Sequence, residues 1–243
     1  MNIPPLDFVE APSPNFDART APPEILVLHY TGMKTGPEAL DRLRDPEAKV
    51  SSHYMVEEDG RIFRLVPEER RAWHAGASYW KGQRNINGVS IGVEIANPGH
   101  EFGYRPFPKA QIDAVIDLVA DIRGRWTIEN THIVGHSDVA PARKDDPGEL
   151  FPWKRLAEAG HGLWAEAPAA PGAPLKRGDE GVGVFGLQAG FTRLGYDLPP
   201  SGKFDEATEQ VVTAFQRHWR QSQVDGIADG ATRAQLIALL RAG

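Results

Sequence analysis

The 243-residue chain contains no cysteine. This absence excludes a disulfide framework, thiolate metal sites and a cysteine nucleophile. Long apolar runs are also missing, since no stretch reaches the roughly 18–20 residues that a membrane span needs. Basic runs are missing too, and the net charge is −6. Binding to nucleic acid or to an anionic membrane therefore has little electrostatic support.

Several catalytic motifs are absent from the sequence. It has no G-x-S-x-G turn, no phosphate-binding glycine loop, no dinucleotide glycine fingerprint and no H-E-x-x-H helix. Each of these motifs places a nucleophile, a phosphate or a metal in a defined geometry. Serine-hydrolase, nucleotide-binding and zincin-type peptidase chemistry are therefore disfavoured.

The first twenty residues, MNIPPLDFVEAPSPNFDART, lack the basic start and the continuous apolar stretch of a secretory signal. If Met1 is the native start, this pattern predicts a cytoplasmic protein. A trimmed start would leave the periplasm as the alternative.

The chain has enough apolar residues for a folded core, because they make up 41% of its composition. Its clearest boundary is AEAPAAPGAP at residues 165–174, where Ala, Pro and Gly dominate and no helix or strand period survives. We therefore predict a first domain over residues 1–164, a linker over 165–174 and a second domain over 175–243.

The first domain alternates strand and helix patterns. Apolar runs at residues 24–30, 90–96 and 131–136 predict buried strands, and SSHYMV with RIFRLV around an Asp-Gly turn predicts a hairpin. Helical spacing of apolar residues follows in FPKAQIDAVIDLVADIRGRW. Intermixed strands and helices favour a sheet layered with helices.

The second domain contains an internal repeat. GKFDEAT at residues 202–208 and GIADGAT at 226–232 both read G-x-x-D-x-A-T, which predicts a turn, an Asp N-cap and a first helical turn. Upstream, Val184, Leu187, Phe191 and Leu194 have helical spacing. The pattern predicts three short helices in a small bundle.

Two histidines and one aspartate are candidates for a metal site. His29 and His136 end predicted strands, and Asp146 follows His136 by ten residues. Strand ends present side chains to clefts in layered folds. Two imidazoles and a carboxylate match a catalytic zinc set, which leaves one position for water. The alternative is a buried histidine pair, with Asp146 capping the loop before Pro147.

Glu94 and Lys144 are candidates for the reacting groups. Glu94 shares a strand face with Gly92 and Ala96, and a carboxylate on an apolar strand needs a partner or a function. It could act as a general base, or it could pair with a core arginine. Lys144, two residues before Asp146, could stabilise an oxyanion, or it could be a solvated loop lysine.

The order of the motifs is more specific than any one of them. LVLHYTG, VSSHYMVEEDGRIFRLV, RAWHAG, INGVSIGVEIAN and IVGHSDVAPARKDDPG follow one another over residues 25–153. This series resembles the type 2 zinc-dependent N-acetylmuramoyl-L-alanine amidases, a family that includes peptidoglycan recognition proteins. The second domain resembles the three-helix peptidoglycan-binding module that often follows cell-wall hydrolases.

The resemblance implies an α/β fold, with a mixed sheet, helices on both faces and a small C-terminal three-helix domain. It implies Zn²⁺ held by His29, His136 and Asp146, with Glu94 as catalytic acid/base and Lys144 as oxyanion stabiliser. His74 falls where family members line the cleft. Some branches carry a catalytic Tyr where this chain has Ser52.

The implied activity is hydrolysis of the amide between N-acetylmuramic acid and L-alanine in muropeptides. We expect a recycling enzyme, with the 1,6-anhydro sugar as substrate and a monomeric state. The alternatives are an envelope amidase that acts on intact wall, which the binding module favours, and a non-catalytic peptidoglycan receptor. The expected partners are muropeptides or peptidoglycan and include neither nucleic acid nor a membrane.

Overall fold

The computed structural model describes residues 6–168 and 171–243. Within these ranges the strands form a six-stranded mixed sheet in the order β1-β5-β4-β7-β3-β8, and a separate ribbon pairs β2 with β6. The strands are Phe8–Glu10 (β1), Phe16–Ala18 (β2), Ile25–Tyr30 (β3), Tyr54–Val56 (β4), Ile62–Arg64 (β5), Arg70–Ala72 (β6), Ser90–Ile95 (β7) and Ile133–Gly135 (β8).

Helices cover both faces of the large sheet and continue to the C-terminus. The α-helices are Gly36–Arg44 (α1), Ile86–Val89 (α2), Gly99–Phe102 (α3), Lys109–Arg125 (α4), His136–Val139 (α5), Trp153–Glu158 (α6), Val182–Leu194 (α7), Glu206–Trp219 (α8) and Gly230–Ala242 (α9). Single 3₁₀ turns lie at Pro46–Ala48 and Asn130–His132.

The centre of the sheet is built from parallel strands that are buried on both faces. β4, β7, β3 and β8 run parallel, and apolar side chains alternate between the two faces along β3. Leu26 and Leu28 point to the face covered by α4, where they join a cluster with Val115 and Val119. The predicted helix at α4 and its apolar face are therefore confirmed.

The opposite face of the sheet is covered by two different elements. α1 packs near β4 and β5 through Ala39 and Leu43. The C-terminal helices cover the other part, where Ile25 and Val27 belong to the same buried cluster as Phe191 and Phe215. A single hydrophobic cluster therefore joins the sheet to α7, α8 and α9.

The C-terminal helices repeat one hydrogen-bonding device. Asp205 and Asp229 cap α8 and α9 by accepting from the backbone N–H groups of Thr208 and Thr232, as the repeated motif predicts. A buried glutamine completes each copy. Gln188 accepts from the N–H groups of residues 201 and 202, and Gln216 accepts from those of residues 225 and 226.

The predicted fold class is confirmed: a mixed sheet carries helices on both faces, and three helices follow it. The domain boundaries remain predictions. Residues 165–168 and 171–174 of the predicted linker are irregular, whereas residues 169–170, and residues 1–5 of the predicted first domain, lie outside the described residues.

One predicted strand is shorter than its apolar run. Residues 131–136 were expected to be extended, but the strand covers only Ile133–Gly135 and His136 begins α5. The carboxylate of Asp138 accepts from the N–H of Gly135 at 2.8 Å, and this bond turns the chain into a helix directly after the strand.

Among the described residues, no helix is a candidate membrane span. Across residues 6–168 and 171–243, every helix is too short or too polar to cross a bilayer.

Candidate active site

Two central strands place His29 and Glu94 side by side. β3 and β7 are parallel neighbours, and their register pairs the Cα atoms of His29 and Glu94. Paired residues of adjacent strands point to the same face. His29 is buried, whereas Glu94 is partly exposed in a cleft of about 370 Å³.

The loop after β8 returns Asp146 to the end of that strand. The backbone N–H of Ser137 donates to the carbonyl of Asp146 at 2.9 Å, and the N–H of Lys144 donates to the carbonyl of Ala140 at 3.1 Å. These bonds fold the loop back on α5, so that His136 and Asp146 face each other. Lys144 is half-buried and lines the same cleft as Glu94.

Three side-chain atoms converge at the floor of the cleft. Nδ1 of His29 and Nδ1 of His136 are 2.9 Å apart, and each lies 3.0 Å from Oδ2 of Asp146. Zinc is bound by imidazole nitrogen and carboxylate oxygen at roughly 2.0–2.2 Å. A triangle of this size therefore allows all three atoms to reach one ion.

The Nε2 atoms of His29 and His136, which point away from the cluster, contact the consecutive residues His74 and Ala75. Nε2 of His136 lies 3.1 Å from the carbonyl oxygen of Ala75, and Nε2 of His29 lies 3.0 Å from Nδ1 of His74. The side-chain oxygen of Asn87 accepts from the backbone N–H groups of both His74 and Ala75. Asn87 thus holds the segment that orients both imidazoles.

This arrangement decides which atoms of the two rings are free to bind a metal. A carbonyl oxygen can only accept, so Nε2 of His136 carries the proton of the neutral ring and Nδ1 presents a lone pair. His74 can likewise accept from His29 through Nδ1 while its Nε2 donates to Ser90, 3.1 Å away. In these tautomers two nitrogen lone pairs and a carboxylate face one another, the arrangement in which they can bind a cation in place of the protons that otherwise bridge them.

Electrostatics favour metal-binding protonation states for His29 and Asp146. Burial, reinforced by His136, lowers the pKa of His29 to about 4. Burial opposes ionisation of Asp146, but the two histidines hold the pKa of its carboxyl group well below its usual range. The imidazole of His29 is therefore neutral near pH 7, and the carboxyl group of Asp146 is ionised.

Glu94 lies in the opposite electrostatic environment. Burial and then the negative charge of Asp146 raise the pKa of Glu94 well above its usual range, and Lys144 opposes them. Its Oε2 atom is buried and has no hydrogen-bond partner among the described residues. No core arginine pairs with it in that part of the chain, so the structural alternative considered for Glu94 is not supported.

Two other sequence positions are now located. The hydroxyl of Ser52 donates to the carbonyl of Gly92 at 2.6 Å, and this buried residue does not line the cleft. His74, which the resemblance placed at the cleft without a role, lines the cleft and contacts Nε2 of His29. Asn87 was not predicted from the sequence; the signal that could have found it was a polar residue inside an otherwise apolar pattern.

Two imidazoles and a carboxylate at the floor of a cleft, with a second carboxylate beside them, are the components of a mononuclear metal hydrolase site. Residues 19–149 match the family described as N-acetylmuramoyl-L-alanine amidase, and residues 180–236 match the putative peptidoglycan binding domain. The chain belongs to the N-acetylmuramoyl-L-alanine amidase family, as its motifs predict.

Individual relatives support this assignment. The chain is 40% identical to the N-acetylmuramoyl-L-alanine amidase AmiD of Escherichia coli over 237 residues, which cover 89% of this chain and 82% of AmiD. It is 32% identical over 170 residues to the 1,6-anhydro-N-acetylmuramyl-L-alanine amidase AmpD of Enterobacter cloacae, covering 62% of this chain and 89% of AmpD.

A solved structure is similar over almost the whole chain. The complex of E. coli AmiD with anhydro-N-acetylmuramic acid-L-Ala-D-γ-Glu-L-Lys superposes with a TM-score of 0.78 at 39% identity, covering 93% of this chain and 92% of AmiD. The similarity therefore includes the C-terminal helices as well as the sheet.

Proposed function

We propose that this protein is a zinc-dependent amidase that cleaves the amide between N-acetylmuramic acid, in its 1,6-anhydro form, and L-alanine. The observation that carries the proposal is the convergence of His29, His136 and Asp146 beside Glu94, whose buried Oε2 atom has no hydrogen-bond partner among the described residues. Family membership supports the reaction type, and the AmiD complex with an anhydromuramyl peptide supports the substrate class.

His29, His136 and Asp146 would hold the metal. Imidazole nitrogen with one carboxylate suits zinc better than calcium or magnesium, which prefer all-oxygen sets. When bound, zinc would supply Lewis-acid polarisation of the scissile carbonyl and would make an attacking water more acidic.

Glu94 acts as the proton carrier in this proposal. Its raised pKa brings the carboxyl group toward the operating pH, where it can both accept and release a proton. Glu94 removes a proton from the attacking water and passes it to the nitrogen of the departing L-alanine. The amide C–N bond breaks, and the products are the carboxylate of the anhydro sugar and a free peptide.

Lys144 stabilises the negative charge that develops on the carbonyl oxygen. Its ammonium group lines the same cleft and is close enough to act on the pKa of Glu94. A fixed positive charge in a partly desolvated cleft stabilises an oxyanion more than the same charge in water does.

The test uses anhydro-N-acetylmuramyl-L-Ala-D-γ-Glu-L-Lys and detects the free tripeptide by mass spectrometry. Glu94→Gln should lower the turnover rate about 10²- to 10⁴-fold while zinc remains bound at one equivalent, because the amide cannot carry the proton. Glu57→Gln is the control, since Glu57 lies outside the cleft. Full turnover by the Glu94 variant would refute its role.

The same assay separates the two alternative functions. A receptor would bind the muropeptide, detected by calorimetry, without releasing peptide. An envelope amidase would release peptides from intact sacculi at rates comparable with those on the soluble fragment; the match of residues 180–236 to a peptidoglycan binding domain favours this second candidate.

Compartment and assembly complete the proposal. We place the protein in the cytoplasm, with the periplasm as the alternative, and expect a monomer. Fractionation of native cells distinguishes the compartments, and sedimentation of the purified chain measures its mass against the 26.7 kDa of one copy.

A further inference from the structure

A buried carboxylate connects the C-terminal helices to the candidate metal site. Asp138 lies in α5, two residues after His136, and is fully buried. Its Oδ1 accepts from the hydroxyl of Tyr196 at 2.7 Å, and its Oδ2 lies 2.7 Å from Nδ1 of His218. Because an ionised carboxylate only accepts, Nδ1 of His218 carries the proton of this bond.

Both of these donors come from the C-terminal part of the chain. Tyr196 follows α7 and His218 lies in α8, so they are 58 and 80 residues away from Asp138. A buried carboxylate is costly unless it is hydrogen-bonded. The remaining bond to Asp138, from the N–H of Gly135, is local to the turn that starts α5.

The geometry of this turn determines where His136 leaves the backbone. Gly135 ends β8, His136 is the first residue of α5, and the bond between Gly135 and Asp138 closes the turn around His136. The Asp138 carboxylate is therefore one of the groups that hold the turn from which the imidazole of His136 projects.

His218 also supports this corner by a second contact. Its ring stacks on Trp153 with a centroid distance of 3.6 Å. The indole of Trp153 lies against Gly135, where an added Cβ would come within 3.3 Å of it and within 2.8 Å of Pro147. Pro147 directly follows the ligand candidate Asp146, so the ring on which His218 stacks and the proline after Asp146 both lie close to Gly135.

We propose that Asp138, Tyr196 and His218 are positioning residues for His136, so that the C-terminal helices form part of the scaffold of the metal centre. This inference rests on the proposed metal site and goes beyond it, because it assigns the C-terminal helices a role separate from wall binding. The geometry of metal ligands is commonly fixed by such outer contacts, and their loss weakens metal binding.

The test measures the zinc dissociation constant of the full-length protein by competition with a chromophoric chelator. Tyr196→Phe removes one hydroxyl, and His218→Phe removes the donor but keeps a stacking ring. Each should raise the zinc dissociation constant by roughly tenfold, the low end of the range for outer-contact losses. His218→Asn keeps an N–H donor near the position of Nδ1 but loses the stacking ring, so it should recover part of the affinity that His218→Phe loses.

A matched control removes a hydrogen bond of the C-terminal helices elsewhere. Gln235 in α9 donates to the carbonyl of Ala165, away from Asp138. Gln235→Met should lower thermal stability and leave the zinc dissociation constant unchanged. All constants are measured well below the melting temperature of each metal-free variant, and activity at saturating zinc should recover in Tyr196→Phe.

The outcomes separate this inference from the proposed function. Unaltered zinc affinity in Tyr196→Phe and His218→Phe, with the unmodified chain binding zinc normally, would overturn the positioning role alone. An equal loss of affinity in Gln235→Met would also overturn it, since the effect would then be general destabilisation. Failure of the unmodified chain to bind zinc would overturn the metal centre itself.

Discussion

Adding one methyl group at Gly92 tests how closely His74 controls the metal site. Gly92 lies in β7 directly beneath the His74 ring, and a Cβ built there would be 2.5 Å from Cγ and 2.7 Å from Nδ1 of His74. Ordinary contact begins at 3.4 Å, so the ring has to move by about 1 Å. Gly92→Ala is therefore predicted to displace His74 from His29.

The size of the effect follows from this displacement. Overpacking a buried site costs about 1–3 kcal/mol of unfolding free energy. Functional groups tolerate displacements of about 0.5 Å, and a shift of about 1 Å disrupts the 3.0 Å contact between His29 and His74. Loss of an outer partner of a metal ligand should then raise the zinc dissociation constant about 10- to 100-fold.

Two measurements check the prediction for Gly92. Chelator competition gives the zinc dissociation constant, and urea denaturation gives the free energy of unfolding. Gly124→Ala is the control, because Gly124 is an exposed residue of α4 and no described atom lies within 4 Å of its added Cβ. The control should stabilise the protein by about 0.5–1 kcal/mol and leave zinc binding unchanged.

Normal zinc affinity in a folded Gly92→Ala protein would refute the reasoning. It would mean that His74 can move by an ångström without altering His29, and that the contact behind the ligand is incidental.

Two further predictions concern stability. Burial, followed by Arg19, lowers the pKa of His53 to about 3, against about 6.5 when unfolded. The unfolded chain therefore binds more protons between these values, so stability should fall as pH is lowered from about 6.5 toward 3, by at most about 1.4 kcal/mol per pH unit. His53→Gln should flatten this dependence in urea titrations; an unchanged slope would contradict the assignment. Gln216→Leu should cost about 2–3 kcal/mol, because the N–H groups of Asp225 and Gly226 lose their acceptor. A loss below about 0.5 kcal/mol in the same titrations would show that water replaces the amide.

Much of the fold could be predicted because its signals are local. The alternation of apolar residues in β7 placed Glu94 on the face opposite Ile91 and Val93, and the structure confirms the strand. The Asp N-caps of α8 and α9 were read from one repeated motif because capping depends on residues three positions apart.

The candidate site was only partly accessible from the sequence. The predicted placement of His29 and His136 at strand ends indicated that they would face a cleft. The structure places His29 in β3 and His136 at the start of α5, and it brings them together with Asp146. The contacts that support the two histidines could not be predicted from local sequence patterns. Asn87 bonds to a segment twelve and thirteen residues earlier, and Asp138 bonds to side chains from the C-terminal helical region. Such pairings depend on tertiary packing, which has no fixed spacing along the chain.

The glutamines of the C-terminal repeat were missed for a related reason. Gln188 precedes Gly202 by fourteen residues, whereas Gln216 precedes Gly226 by ten. The unequal spacing hides the repeat from a search with a single period, although both side chains make equivalent hydrogen bonds.

The buried cluster shared by the sheet and the C-terminal helices limits how this protein can be re-engineered. Removing the helices would leave Val27, Val139 and Trp80 facing water, and transplanting them onto another enzyme would expose Phe191 and Phe215 unless that host offered a matching apolar surface. A chimera that exchanges the C-terminal helices for a different wall-targeting unit would therefore need polar substitutions on the uncovered face of the sheet. The transplanted helices would need polar substitutions on their own apolar face before either protein could remain in solution.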